Sequence, residues 1–336
     1  VSANTHIDWC DMTFNPWIGC TKVSPGCANC YAENDTFARV QRSKGRELWG
    51  KGCARHRTSA ANWRQPLRWN NAPGFCNTCG CFVAPSVCAH GIEHFEIGRR
   101  PRVFCGSLCD VFDDEVPIEW LADLLLLIYD TPNLDWLLLT KRPENWDQRI
   151  ESAYRLQNKK NYALMVWLED WIEGKHPTNI WIGTTVENQE MADKRIPELC
   201  KIHAAVRFLS CEPLLGTVDI EQWIDPIDLG YVGKSFLDWV ICGGESGSNA
   251  RPMHPDWARS LRDQCQEAGV PFFFKQWGEW EPFGTYDGRQ ILPWGEYEVP
   301  TESSEGFGFL KKGKKAAGRL LDGVIHNAFP KMGGAQ

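Results

Sequence analysis

No run in the sequence approaches the roughly 18 uncharged apolar residues that a membrane span needs. Its first residues, VSANTHIDWCD, contain neither the basic stretch nor the apolar core of a secretory leader. The expectation is a cytoplasmic protein without a membrane partner. Positive charge is also short: 36 Lys and Arg stand against 43 Asp and Glu, a net charge of -7. That argues against a nucleic-acid coat, whose affinity rests on many Lys and Arg contacts to phosphate. No G-x-G-x-x-G follows the first candidate strand, so nothing signals a dinucleotide turn.

Cysteine and tryptophan, by contrast, are abundant. Fifteen cysteines in a reducing compartment point to metal rather than to a disulfide framework. Seventeen tryptophans, scattered along the chain, are expected to pack between layers. With 336 residues and 43% hydrophobic content, the chain can bury a full core without disulfides. Basic residues concentrate in Lys311, Lys312, Lys314, Lys315 and Arg319, a stretch able to contact phosphate but equally able to be a solvated loop.

Seven segments read as strands: 12–20, 102–110, 134–142, 179–188, 205–213, 237–247 and 270–278. Near-continuous apolar runs mark strands buried on both faces, and helical patterns such as 118–130 and 254–269 between them mark βα units. The expected fold is α/β, a full or partial parallel (β/α) barrel, with a flat doubly wound sheet as the alternative. In parallel barrels the active site lies at the C-terminal strand ends. The polar residues there are Asp110, Lys141 with Arg142, Glu187 with Asn188, Ser210 with Glu212, Glu245 with Ser246, and Lys275 with Gln276.

Cys20, Cys27 and Cys30 follow the first strand in the order C-x6-C-x2-C, with a Ser24–Pro25–Gly26 turn in the spacer. Three thiolates on one loop suit a soft metal. Structural zinc and closed iron–sulfur clusters usually take four protein ligands, so three leave a metal position open. Cys10 is the candidate for a fourth thiolate, which would make the site structural zinc.

The run FNPWIGCTKVSPGCANCYAE, taken with SLCDVFDD, LLTKRPENW, WIGTTVEN, RFLSCEPLLG, WVICGGESGSNARPM, FFFKQWG and GRLLDG, resembles a phage-associated family with a radical-SAM-like barrel. The resemblance extends over residues 8–110 with one gap, then 110–330. It implies that Cys20, Cys27 and Cys30 hold a [4Fe–4S] cluster whose fourth iron chelates S-adenosylmethionine. A reductase would supply one electron, and a 5′-deoxyadenosyl radical would abstract a substrate hydrogen. The loop departs from the common radical-SAM pattern: six residues rather than three separate the first two cysteines. Asn29 also stands where an aromatic is usual, with Tyr31 after the last cysteine. Phage association would place the protein in the host cytoplasm and suggests DNA or a modified nucleotide as substrate, for example a rearrangement on a hypermodified thymidine.

A second constellation fills GFCNTCGCFVAPSVCAHGIEHFEIG at 74–98: Cys76, Cys79, Cys81 and Cys88, with His90 and His94 behind. A C-x2-C knuckle with further ligands is a strong metal signal. Zinc is the first expectation and an auxiliary Fe–S cluster the second, with Cys53 and His56 as possible additional members. Cys109 and Cys211, at strand ends, are the candidates to pass a hydrogen atom or proton to a substrate radical, although free cysteines are commonly buried. Cys105, Cys200, Cys242 and Cys265 read as core. Glu245, flanked by glycine, is the first candidate for the cofactor's amino group. Glu212 and Glu187 are alternatives, and Lys141, Arg142 or Lys275 could pair with a carboxylate of the cofactor or substrate. Ser246 adjoins this cofactor-binding group.

Four segments follow: the first strand and cluster loop (1–73), a Cys/His-rich metal-binding insertion (74–98), the remainder of the barrel (99–282) and a C-terminal extension with the basic segment (283–336). The functional expectation is a radical-SAM enzyme of the isomerase or nucleic-acid-modifying kind. The alternative is a zinc-bound, non-enzymatic nucleic-acid-binding or scaffold protein.

Overall fold

The computed structural model describes residues 5, 7–71, 74–76, 78, 88–90, 95–97, 99–157, 160–225, 235–285 and 307–331. They fall into two compact units, one drawn from Val1–Thr21, Ala32–Ile182 and Ile202–Ala205, the other from Lys22–Tyr31, Gly183–Lys201 and Val206–Gln336. The strands of the first are β1 (Met12–Phe14), β2 (Trp17–Ile18), β3 (His56–Arg57), β4 (Gly74–Cys76), β5 (Phe95–Ile97), β6 (Arg102–Cys105) and β7 (Asp135–Thr140). β8 (Ile180–Thr185) contributes to both units. The second unit adds β9 (Val206–Cys211), β10 (Trp239–Gly243), β11 (Phe272–Gln276), β12 (Trp280–Thr285) and β13 (Phe307–Lys311).

All seven expected strands form one sheet, ordered β1-β6-β7-β8-β9-β10-β11. Pairings β1–β6, β6–β7, β9–β10 and β10–β11 are parallel. Among the described residues the order has two edges, β1 and β11, so the partial form of the barrel is the one observed. Both faces of these strands are covered, as their apolar runs require: every residue of Ile180–Thr185 and of Trp239–Gly243 is buried. The expected tryptophan packing is present, with Trp9, Trp17, Trp136, Trp171, Trp181 and Trp239 among the largest fully buried side chains.

One expected strand needed correction. Segment 12–20 is not a single strand: β1 ends at Phe14, and Trp17–Ile18 turns away to pair antiparallel with His56–Arg57. Pro16 has no N–H to give a ladder, and the Asn15 side chain takes over. Its Oδ1 accepts the Leu108 N–H at 2.8 Å and its Nδ2 donates to Ser107 Oγ at 2.9 Å. The chain therefore leaves the sheet shortly before Cys20.

The helices of the first unit are α1 (Thr36–Ser43), α2 (Ala60–Trp63), α3 (Gln65–Trp69), α4 (Ile118–Tyr129), α5 (Trp146–Gln157) and α6 (Tyr162–Ile172). Those of the second are α7 (Gln189–Lys201), α8 (Glu221–Ile224), α9 (Pro255–Glu267) and α10 (Lys314–Ala317). α4 buries Leu121, Leu124, Leu125 and Ile128, an i, i+3, i+4, i+7 stripe. α9 starts at a Pro and is capped by His254, which accepts the Asp256 N–H at 3.2 Å. It packs on β10 and β11. No helix among the described residues is long and apolar enough to cross a membrane.

Candidate cluster-binding site

In the first unit, Cys20 lies beyond the C-terminal end of β1. Gly19 makes a parallel bridge to Cys109, which follows β6, and Cys20 makes one to Trp49. The Cys20 Sγ is 3.5 Å from Arg142 Nη1. That guanidinium also donates to Asp110 Oδ2 at 3.0 Å and to the Thr21 carbonyl at 2.7 Å. Asp110 in turn accepts the Thr140 hydroxyl at 2.6 Å and the Lys141 N–H at 2.8 Å. Burial, aided by the Asp110 carboxylate and opposed by Arg142, pushes the Cys20 thiol up to about 12. A second buried pair, Arg55 with Asp113 at 2.8 Å, holds the next residue: Arg55 Nη2 donates to Thr21 Oγ1 at 2.7 Å.

Cys10 lies before the N-terminal end of β1. Its neighbour Asp11 accepts from Arg99 and Arg102 at the start of β6, and the Asp11 N–H donates to the Arg102 carbonyl at 2.9 Å. β1 runs from that end toward Cys20.

The second unit holds Cys27 and Cys30. Pro25–Cys27 forms a short 3₁₀ turn, and the Cys30 N–H donates to the Cys27 carbonyl at 3.4 Å. Residues past the C-terminal ends of β8 and β10 grip this turn. Glu187 Oε1 accepts the Gly26 N–H at 3.0 Å, and a Cβ at Gly26 would come within 2.9 Å of that oxygen. Glu187 is itself paired with Arg195 at 2.8 Å, the two side chains being 0% and 2% exposed. Asn29 Nδ2 donates to Glu245 Oε2 at 3.1 Å and to the Asn249 carbonyl at 2.8 Å. Arg251 closes the arrangement. Its Nε and Nη2 bind the two Glu245 oxygens at 2.8 and 2.6 Å, and Nη2 also donates to the Pro25 carbonyl at 3.1 Å. Burial alone would raise the Glu245 carboxyl, but the Arg251 guanidinium and N–H and the Asn29 amide hold it below the usual range.

Glu212, one residue past β9, receives Lys275 Nζ at 2.6 and 2.8 Å and Gln276 Nε2 at 3.2 Å. Gln276 also donates to Ser246 Oγ at 2.9 Å. The glycines before Glu245 have a local explanation: a Cβ at Gly244 would lie 2.0 Å from the Trp277 carbonyl, so backbone packing on the segment after β11 requires glycine there. Cys211 and Cys242 are fully buried register partners on β9 and β10, and burial pushes both thiols up. Cys109 is partly exposed; burial first, then Cys105 and Cys20, push its thiol up as well.

Of the second constellation, Cys76, Cys88 and His90 come together, their ligand atoms all within 4.8 Å of one another. Cys79, Cys81 and His94 lie outside the described residues. Cys53 and His56 are not in that group. In the basic segment, Lys311 donates to the Ser248 carbonyl at 2.5 Å, Lys312 pairs with Glu281, and Arg319 lies over Phe273. Lys314 and Lys315 are exposed.

Two arginines central to the second unit, Arg195 and Arg251, were not anticipated from sequence. Arg195 had a signal: it sits in α7 on the face that buries Met191, Ala192, Ile196 and Leu199, where a cation needs a buried partner. Arg251 lies in an irregular stretch with no periodicity to mark it.

A family model described as "Protein of unknown function (DUF5131)" matches residues 4–330. No curated protein matches the chain. Among solved structures, spore photoproduct lyase complexed with dinucleoside spore photoproduct is similar at a TM-score of 0.36 and 8% identity, over 90% of this chain and 69% of that one.

Proposed function

The chain belongs to this family of proteins of unknown function, and from that premise we propose that it is a radical S-adenosylmethionine enzyme whose cluster is held by Cys20, Cys27 and Cys30. The observation that carries the proposal is the grip on the Ser24–Cys30 turn by Glu187, Glu245 and Arg251 from the C-terminal strand ends, the edge where parallel α/β enzymes build their sites. Such a grip gives two thiols a fixed geometry in a segment with almost no regular structure of its own. The donor types suit a cluster: three thiols on one loop, with a guanidinium donating toward the Cys20 sulfur. Hydrogen bonds to sulfur are one means by which proteins tune such clusters.

Cluster and cofactor together would supply one-electron cleavage of a sulfonium and a 5′-deoxyadenosyl radical able to abstract hydrogen. The residues of this chain bind and orient. Glu187 and Glu245 are engaged in holding the cysteine turn, which makes them positioning residues. Glu212 and Lys275, an acid and a base side by side with Gln276 and Ser246 adjoining, are the pair suited to the amino and carboxylate groups of the cofactor. Lys141 and Cys109, past the ends of β7 and β6, are assigned to substrate. For the substrate class we propose a nucleic-acid base, with the exposed Lys314 and Lys315 available to phosphate.

The test is anaerobic turnover. Reduced protein is expected to convert S-adenosylmethionine to 5′-deoxyadenosine and methionine, and Glu212→Gln to weaken cofactor binding while leaving iron content unchanged. Acceleration by a thymidine-containing DNA strand is the sign expected of the substrate class; acceleration only by a peptide or small metabolite would overturn that part. A colourless protein with zinc at Cys20, Cys27 and Cys30 would replace the enzyme with a zinc-bound scaffold.

A further inference from the structure

We propose that Cys76, Cys88 and His90 supply three of the four ligands of one zinc ion that staples the β4–β5 hairpin and takes no part in redox chemistry. β4 and β5 pair antiparallel over three residues, Gly74 with Ile97, Phe75 with Glu96 and Cys76 with Phe95. Two strands of that length do not sustain themselves in water. Cys76 ends β4 fully buried, at 0% exposure. The 20-odd positions from 74 to 98 carry no helical or alternating apolar pattern, so the ordering entropy must be offset by something other than a core.

The distances suit a single small ion. His90 Nδ1 lies 3.6 Å from Cys76 Sγ and 3.3 Å from Cys88 Sγ. With Zn–S near 2.3 Å and Zn–N near 2.05 Å, a tetrahedral ion sets sulfur and nitrogen about 3.6 Å apart. The 3.6 Å separation matches that spacing, the 3.3 Å one is slightly shorter, and the two sulfurs lie within 4.8 Å of each other. In an iron–sulfur cubane each protein ligand binds its own iron, and the iron–iron edge adds to the separation. A set this tight, with an imidazole in it, belongs to a single borderline ion. Between the two metals considered for this segment, the geometry selects zinc over an auxiliary cluster.

The site is also tied to the sheet. Arg99 lies over the Phe75 ring, its Cζ 4.0 Å from the centroid, and pairs with Asp11 at 2.9 Å just before β1. Loss of the ion should thus loosen the hairpin first and the start of β1 next, leaving the strand ends that grip the cysteine turn in place.

The experiment is metal analysis and zinc-edge X-ray absorption on the full chain, purified without oxygen. One zinc per chain is expected, with sulfur scatterers near 2.3 Å and a nitrogen near 2.0–2.1 Å. In a Cys76→Ser/Cys88→Ser variant, zinc should fall from one to near zero while iron per chain is unchanged. A wild-type zinc edge without sulfur neighbours, or a variant that loses about four irons instead of one zinc, would overturn the assignment. The first readout needs no variant, so a poorly folding mutant does not shield it.

Discussion

The two cysteine constellations differ in what holds them. Cys76, Cys88 and His90 have ligand atoms within 4.8 Å of one another, close enough for one small ion to cross-link them. Cys20, Cys27 and Cys30 are instead fixed by the protein. Arg142 and Arg55 hold the Cys20–Thr21 turn, and Glu187, Asn29, Glu245 and Arg251 hold the turn at Cys27. A structural ion can organise its own ligands, because binding and folding are one event. A site that must leave a coordination position for a reactant needs its ligands organised beforehand, by charged side chains whose own partners are fixed.

The largest expected break in that comparison comes from Arg195. It lies on α7 with no cysteine contact, yet Arg195→Met leaves the buried Glu187 carboxylate without its cation, at a cost of about 3–5 kcal/mol. The midpoint of denaturant unfolding of the apo chain should drop accordingly. Iron retained after reconstitution should fall with it, and zinc should not. Equal loss of both metals would mean that the two sites are not separately supported.

Arg251→Ala is expected to do less. It removes charge-assisted hydrogen bonds from Glu245 and the bond to the Pro25 carbonyl, about 1.5–3 kcal/mol before allowance for the partial exposure of the arginine. Cluster occupancy should decline measurably by iron analysis, with zinc again constant. Asn29→Ala is smaller still, about 1 kcal/mol, and should appear as faster cluster loss under a chelator rather than as lower initial iron.

Much of this contrast was legible in the sequence. All seven sheet strands were, because buried parallel strands are continuous apolar runs bounded by polar residues, and so was the grouping of Cys76 and Cys88 with His90. The break at Asn15–Pro16 was not, since its cause is a side chain substituting for a ladder hydrogen bond. The close approach of His90 to both thiols was also hidden: spacing along the chain sets how many donors are available, whereas their separation depends on how the loop folds. Glu245 illustrates the same limit. Its flanking glycines suggested close ligand approach, and Gly244 instead makes room for the Trp277 carbonyl. Arg251, which saturates that carboxylate, was invisible to any periodicity.

The most direct test of the central claim is iron content and visible absorption of the anaerobically reconstituted chain beside its Cys20→Ala/Cys27→Ala/Cys30→Ala variant. The wild type should be brown, with about four irons per chain and one zinc, and the variant should be colourless with the zinc retained. A variant that keeps its iron, or a wild type whose only metal is zinc bound at Cys20, Cys27 and Cys30, would contradict it.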